Sequence, residues 1–270
     1  MKLKDKVAIV TGASSGIGKA LAISMAEEGV KLVLGARSKE KLDELVTDIT
    51  YRGHEAIAVQ TDVSNENDCK SLILSAVEKY GKIDILVNNA GISMRALFKD
   101  ADVDVIRKLM DTNFFGMVYC TKYALPYLLK TGGSVVGVSS IAGYKGLPGR
   151  TGYSSSKFAM HGFLESLRIE NLKSGLHVLI ACPGFTASNI RNTALNEKGE
   201  QQGESPRDEG KMMTAEEVAG HIIKAIAKRK DRIVLTSQGK TTVRLNKLLP
   251  KFMDKMVYKH MAKEPDSPFK

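Results

Sequence analysis

Short runs of Val, Ile and Leu recur along the chain, and stretches of helical periodicity separate them. The runs Val7 to Val10, Lys31 to Leu34, Ala56 to Gln60, Ile83 to Val87, Ser134 to Val138, His177 to Ala181 and Arg232 to Leu235 predict strands. Between them Leu42, Leu45, Val46 and Ile49 fall at helical spacing, as do Cys69, Leu72, Ile73, Ala76, Val77 and Tyr80. Strands that are apolar throughout, separated by amphipathic helices, predict a parallel sheet covered on both faces. The expected architecture is therefore α/β: a doubly wound, mostly parallel seven-stranded sheet in one domain, with its ligand beyond the carboxyl ends of the strands. The body is expected to run from residue 1 to about 240, with a C-terminal extension over 241–270.

The extension has its own pattern. Leu245, Leu248, Leu249, Phe252, Met253, Met256, Val257 and Met261 recur at helical spacing, with Pro250 as a break or first-turn residue. On another face Lys247, Lys251, Lys255, Lys259 and Lys263 repeat every four residues. Such a basic amphipathic segment either packs its apolar face on the body or a second subunit, or lies on an anionic bilayer surface through 241–263. It also accounts for much of the formal charge of +10, which is concentrated after Lys224. Nucleic acid is not the expected partner: no reader motif is present, there is no Trp, and the aromatics are not interleaved with the basic tract.

No run of 18 or more apolar residues occurs, and Met1 to Lys6 passes directly into a strand, so a cytoplasmic protein is expected. Cys69, Cys120 and Cys182 are too scattered for a disulfide framework or a metal cluster, and no metal is expected. The segment Asn196 to Lys211, within a substrate loop of about 185–213, reads as too polar and Gly-rich to pack firmly.

Candidate chemistry lies at the strand ends. Thr11-Gly12-Ala13-Ser14-Ser15-Gly16-Ile17-Gly18 follows the first strand and opens a helix near Lys19. Glycines there let the backbone approach a pyrophosphate, and a helix N-terminus offers free N–H groups. Asn88-Asn89-Ala90-Gly91 supplies a second turn after the fourth strand. Tyr153 and Lys157, four residues apart, share a helix face, and Ser140 lies thirteen positions upstream. Singly each has an ordinary alternative: Ser139 and Ser140 as a strand end, Asn113 as a cap or kink, Tyr153 and Lys157 as a surface pair. His161 reads as a packed or interfacial histidine.

Taken together and in order, the Gly16-Ile17-Gly18 turn, Asp62, Asn88-Asn89-Ala90-Gly91, Asn113, Ser140, Tyr153/Lys157 and Pro183-Gly184 resemble the motif set of the short-chain dehydrogenase/reductase superfamily over about residues 5–235. Within it the chain is most similar to the hydroxysteroid-dehydrogenase-like, NADP-preferring group. The resemblance implies a Rossmann-type fold and a site in which Gly12, Ser14, Ser15, Gly16, Ile17, Gly18, Asn89, Ala90 and Gly91 hold a dinucleotide. It further implies that Asp62 contacts the adenine amino group, Val63 lies under the ring, Thr186 after Pro183-Gly184 contacts the nicotinamide carboxamide, and Lys157 holds the nicotinamide ribose. Asn113 would hold, through its backbone, a water that reprotonates Lys157. At the end of the second strand Ala36 presents no carboxylate to repel a 2′-phosphate and Arg37 offers a donor fork for one, so NADP(H) is the expected cofactor.

Reducing a ketone needs hydride on carbon and a proton on oxygen. Tyr153 is the expected acid, with Ser140 polarising the carbonyl. An unperturbed phenol titrates near pH ~10, and bringing it to neutrality takes about 4 kcal/mol, with Lys157 and the oxidised nicotinamide as expected sources. The expected function is hydride transfer between NADP(H) and a hydrophobic ketone or secondary alcohol. A 3-ketoacyl or 3-ketosphinganine-type reductase is the alternative within the class, and an NADP-binding sensor or scaffold the alternative outside it. The intact set of Asn113, Ser140, Tyr153 and Lys157 argues against the last. The resemblance also implies a homodimer or homotetramer through helices around Phe114 to Leu129 and Tyr153 to Ser174.

Overall fold

A computed structural model of the chain describes residues 3–203, 210, 212–265 and 267–269. Seven strands form one sheet: β1 (Val7–Thr11), β2 (Lys31–Ala36), β3 (Ala56–Gln60), β4 (Ile85–Asn88), β5 (Ser134–Val138), β6 (His177–Cys182) and β7 (Arg232–Val234). Their order is β3-β2-β1-β4-β5-β6-β7, and every neighbouring pair is parallel. The chain winds outward from β1 to β3, then crosses to β4 on the other side of β1, so a crevice opens at the carboxyl ends of β1 and β4.

The helices are α1 (Gly16–Glu27), α2 (Lys39–Tyr51), α3 (Glu66–Tyr80), α4 (Val103–Met110), α5 (Gly116–Thr131), α6 (Thr151–Glu170), α7 (Ala215–Ala227), α8 (Ser237–Leu248) and α9 (Pro250–Met261). Two apolar cores lie on opposite faces of the sheet. Ala8 and Val10 join one with Leu21, Leu42 and Ile222; Ile9, between them, joins the other with Leu72, Leu128 and Leu164. The period of two in β1 thus serves two helical layers, which is why the strand reads as apolar throughout. β4 runs to Asn88, one residue past the expected apolar run, because Asn88 still pairs with Gly137 of β5; its buried amide donates to Thr121 Oγ1 at 3.1 Å.

Local signals set the boundaries. Asn65 caps α3 by accepting from the amides of Asn67 and Asp68, and α3 ends at Gly81 with φ 72°. α7 opens with a capping box between Thr214 and Glu217. Pro250 occupies the first turn of α9. The extension packs on the body: Met253 and Met261 are buried, Asp254 pairs with Lys145 at 2.5 Å, and Asn246 Nδ2 donates to the Tyr144 carbonyl at 3.0 Å. Leu248, Leu249, Phe252 and Met256 stay exposed beside its lysines. Among the described residues no helix is long and apolar enough to cross a membrane.

Candidate active site

Two turns meet at the crevice. Gly12 (φ 65°) and Gly16 (φ 53°) occupy left-handed backbone, and a Cβ on Gly18 would come within 2.2 Å of the Gly12 carbonyl oxygen. Asn89 Nδ2 donates to the carbonyls of Thr11 (3.0 Å) and Gly12 (3.3 Å), while Thr11 Oγ1 accepts from the amides of Asn89 (3.0 Å) and Ala90 (3.1 Å). The Gly-rich turn and the Asn-Asn-Ala-Gly turn are therefore one unit. Ser15 makes no side-chain cap at the start of α1, whose first turn carries no acid. Amides and the positive end of the helix dipole thus remain for an anion at Ser14 to Gly18, and the residues fit a dinucleotide pyrophosphate.

The other expected cofactor contacts line the same strand ends. Arg37 is exposed just past β2, with its carbonyl accepting from Gln60 Nε2, and Ala36 before it is buried. The Asp62 carboxylate is oriented by the amide and hydroxyl of Ser64 at 3.0 and 2.7 Å. Val63 packs closely on Gly116, where a Cβ would fall 2.8 Å from it, so Gly116 is a packing partner that sequence reasoning missed. Gly184 packs similarly on Thr236, and the Thr186 hydroxyl donates to the Gly184 carbonyl at 3.2 Å.

Asn113, Ser140, Tyr153 and Lys157 come together between β4, β5 and α6. Asn113 lies in a π-helical turn, Asp111–Phe115, that joins α4 to α5. Its side chain accepts from the Ile92 amide (2.8 Å) and donates to the Ile92 carbonyl (3.0 Å) and Ser156 Oγ (2.9 Å). Ser156, one residue before Lys157, is a second partner the sequence did not reveal, since its spacing from Asn113 matches no local motif. A Cβ on Gly91 would sit 3.1 Å from Asn113 Oδ1 and 3.6 Å from Lys157 Nζ, so this glycine lets the β4 turn close on the lysine. Ser140 precedes a short 3-10 turn, Ile141–Gly143, and its hydroxyl accepts from the Ala142 amide at 3.2 Å.

Burial pushes the Tyr153 phenol above its ordinary value, opposed by its hydrogen bond with Ser140 and then by the charge of Arg150. The buried Lys157 ammonium donates to the Val138 carbonyl at 3.0 Å and lies 5.7 Å from the Tyr153 ring centre, and burial brings its own pKa down to about 8. His161 is a packed histidine: it hydrogen-bonds Ser139 Oγ at 2.8 Å and meets the Tyr144 ring edge-on.

An apolar wall of Met94, Ala96, Val105, Leu109 and Leu195 packs against Tyr153. Its Leu195 lies in the expected substrate loop, one residue before the segment expected to pack poorly. Leu195 is buried, its amide donates to the Ser93 carbonyl at 2.9 Å, and the amides of Gln202 and Gly203 donate to the carbonyls of Ala194 (2.9 Å) and Asn192 (2.8 Å). The polar residues 196–203 thus close a turn anchored on Leu195 rather than hanging free. Residues 204–209 and 211 of that expectation lie outside the described residues.

Known proteins resemble the chain in sequence and in fold. A family model described as short chain dehydrogenase matches residues 6–199. Dehydrogenase/reductase SDR family member 7B of Danio rerio is 34% identical over 247 residues, 89% of this chain and 80% of that protein. The 11-beta-hydroxysteroid dehydrogenase-like 4A protein of Arabidopsis thaliana is 39% identical over 196 residues, 72% of this chain and 65% of that protein. A solved short chain dehydrogenase/reductase from Burkholderia phymatum in complex with NAD superposes with a TM-score of 0.82 at 27% identity, covering 93% of this chain and 96% of that one.

Proposed function

The chain belongs to the short-chain dehydrogenase family, and from that premise we propose that it is an NADP(H)-dependent oxidoreductase moving a hydride between the nicotinamide and a hydrophobic ketone or secondary alcohol. The convergence of Ser140, Tyr153 and Lys157 beside the glycine cradle is the observation that carries this reading. In the direction of reduction, Ser140 hydrogen-bonds the carbonyl oxygen and Tyr153 gives it a proton. The bound cofactor supplies the hydride. Lys157 would hold the ribose hydroxyls of a bound cofactor and return a proton toward the phenol, with the Asn113 backbone as the place where a water would resupply it. The cradle from Gly12 to Gly18, with Asn89, Ala90 and Gly91, holds the phosphates and the nicotinamide side, Asp62 and Val63 the adenine, and Pro183, Gly184 and Thr186 the carboxamide.

A hydrophobic substrate is favoured by the wall of Met94, Ala96 and Leu195 against Tyr153, which offers an apolar bed and excludes water from the proton donor. The choice of NADP(H) rests on this chain's own Ala36-Arg37, since the Burkholderia neighbour was solved with NAD. The test is ketone-dependent oxidation of NADPH over a panel that spans small, cyclic and acyl-chain ketones. NADPH binding without turnover on any of them would instead favour a binding-only protein.

A further inference from the structure

The last described residues reach the substrate side of the site. Arg95, in the loop after β4, and Arg150, which precedes α6 three residues before Tyr153, have side chains only 11% and 10% exposed. Both face Glu264, beyond α9, whose carboxylate is 4% exposed and lies 3.7 Å from Arg95 Nε and 3.6 Å from Arg150 Nη2. Arg95 also donates to the Pro265 carbonyl. Pro268 and Phe269 come within 3.5 and 3.6 Å of the Cβ position of Gly149. Arg95 Nε is buried without a hydrogen bond among the described residues, so the carboxylate beside it supplies charge compensation.

Arg95 lies between two residues of the Tyr153 wall, Met94 and Ala96, and the segment that ends at Arg150 is hydrogen-bonded to it. The Arg95 amide donates to the Leu195 carbonyl (2.8 Å), the Ala96 amide to the Gly149 carbonyl (3.0 Å), and Gln202 Nε2 to the Arg95 carbonyl (3.2 Å). Two guanidinium ions brought together away from water repel, and a carboxylate shared between them turns that repulsion into attraction. Building on the oxidoreductase reading above, we propose that Glu264 is a positioning residue for substrate: by clamping Arg95 and Arg150 it straps the C-terminal tail across the loops 92–97 and 145–150 and sets the apolar wall against which a ketone must lie.

The clamp touches the substrate wall and not the phosphate cradle, so its loss should appear in KM for the ketone rather than in NADPH affinity. Glu264→Gln keeps the shape and removes the charge. It should raise the ketone KM by about tenfold while leaving kcat and the NADPH Kd within about threefold, the pattern of lost substrate positioning. A chain ending at Lys263 should behave the same way and serves as the second variant. In an Arg95→Met background, where one of the repelling cations is gone, Glu264→Gln should raise KM by less than about threefold. An unchanged KM, or an equal rise in both backgrounds, would overturn the proposal. Hydrogen exchange of peptides covering 92–97 and 145–150 provides a readout without turnover: faster exchange in Glu264→Gln is expected, and unchanged exchange rejects the strap even if the chain reduces no ketone. Failure of the unaltered chain on the whole ketone panel, by contrast, would count against the functional reading and not the clamp.

Discussion

Replacing Asn113 by Ala removes three hydrogen bonds, to the Ile92 amide, the Ile92 carbonyl and Ser156 Oγ. Asn113 is 1% exposed, so its loss also leaves a small void. Ile92 is only half-buried, which lets water reach part of what is exposed, and Ser156 keeps its bond to the Tyr153 carbonyl at 2.8 Å. Three bonds at about 1 kcal/mol each, with partial solvent rescue and some cavity cost, give a destabilisation of roughly 2–4 kcal/mol. For a domain of this size each kcal/mol moves Tm by about 2–4 °C, so the melting temperature should fall by roughly 5–15 °C. Turnover should fall as well, because Asn113 joins the Ile92 loop to the helix bearing Tyr153 and Lys157. Ser156→Ala should cost less, about 1–2 kcal/mol, and less again in an Asn113→Ala background, since the two share a bond. Thermal melts and NADPH oxidation on the same preparations check this. A Tm within 1 °C of the unaltered protein, with turnover kept, would show that the side-chain network does not hold the site, contrary to the reasoning here.

Three further outcomes are expected. Arg37→Ala should weaken NADPH binding by on the order of tenfold or more while leaving NADH nearly unchanged, as loss of a charge-assisted phosphate contact requires; equal Kd values for the two cofactors in the unaltered protein would reject the NADP assignment. Tyr153→Phe should abolish ketone reduction with NADPH affinity close to normal, and retention of more than a few per cent of turnover would remove Tyr153 from the role of acid. His161 is held neutral, its pKa pushed down to about 4 by burial, with the charges of Arg232 and Lys157 acting in the same direction and Glu165 against them. The unfolded chain takes up a proton below pH ~6.5 and the folded one does not until near 4, so stability is full above that upper value and declines as pH falls, by about 2 kcal/mol at pH ~5. Urea unfolding of the unaltered protein and His161→Gln at pH ~7 and ~5 should show a smaller acid loss in the variant; equal losses would refute the assignment.

What the sequence made legible is what the backbone constrains locally. Gly12 and Gly16 adopt left-handed backbone and Gly18 has no room for a Cβ, so the turn leaves a glycine signature that, with the ordered motifs after it, points to a dinucleotide cradle. The strands could be read because β1 must bury both faces, which leaves an uninterrupted apolar run. The π turn at Asp111–Phe115 was legible only as a cap or kink at Asn113: its extra residue shifts the phase of the following helix by about 100°, and it sets the segment from which Asn113 reaches Ile92 and Ser156. Gly116 and Ser156 were missed for a related reason, since each is defined by a partner on another element, Val63 and Asn113 respectively. Residues 196–203 stay at the surface, as their polarity suggested, and what the polarity did not reveal is that backbone hydrogen bonds close them into a turn beside the buried Leu195. Glu264 has no mark in the sequence: among the lysines of the tail nothing sets it apart from Asp254 and Asp266, and its partners lie far back in the chain at Arg95 and Arg150. Glycine spacing declares itself within a few residues, whereas a buried charge is defined only by the opposite charge that the fold brings to it. Local motifs therefore sufficed to propose the cofactor end of this site, whereas the ion pairs and apolar contacts near Tyr153, made between distant segments, left no such trace.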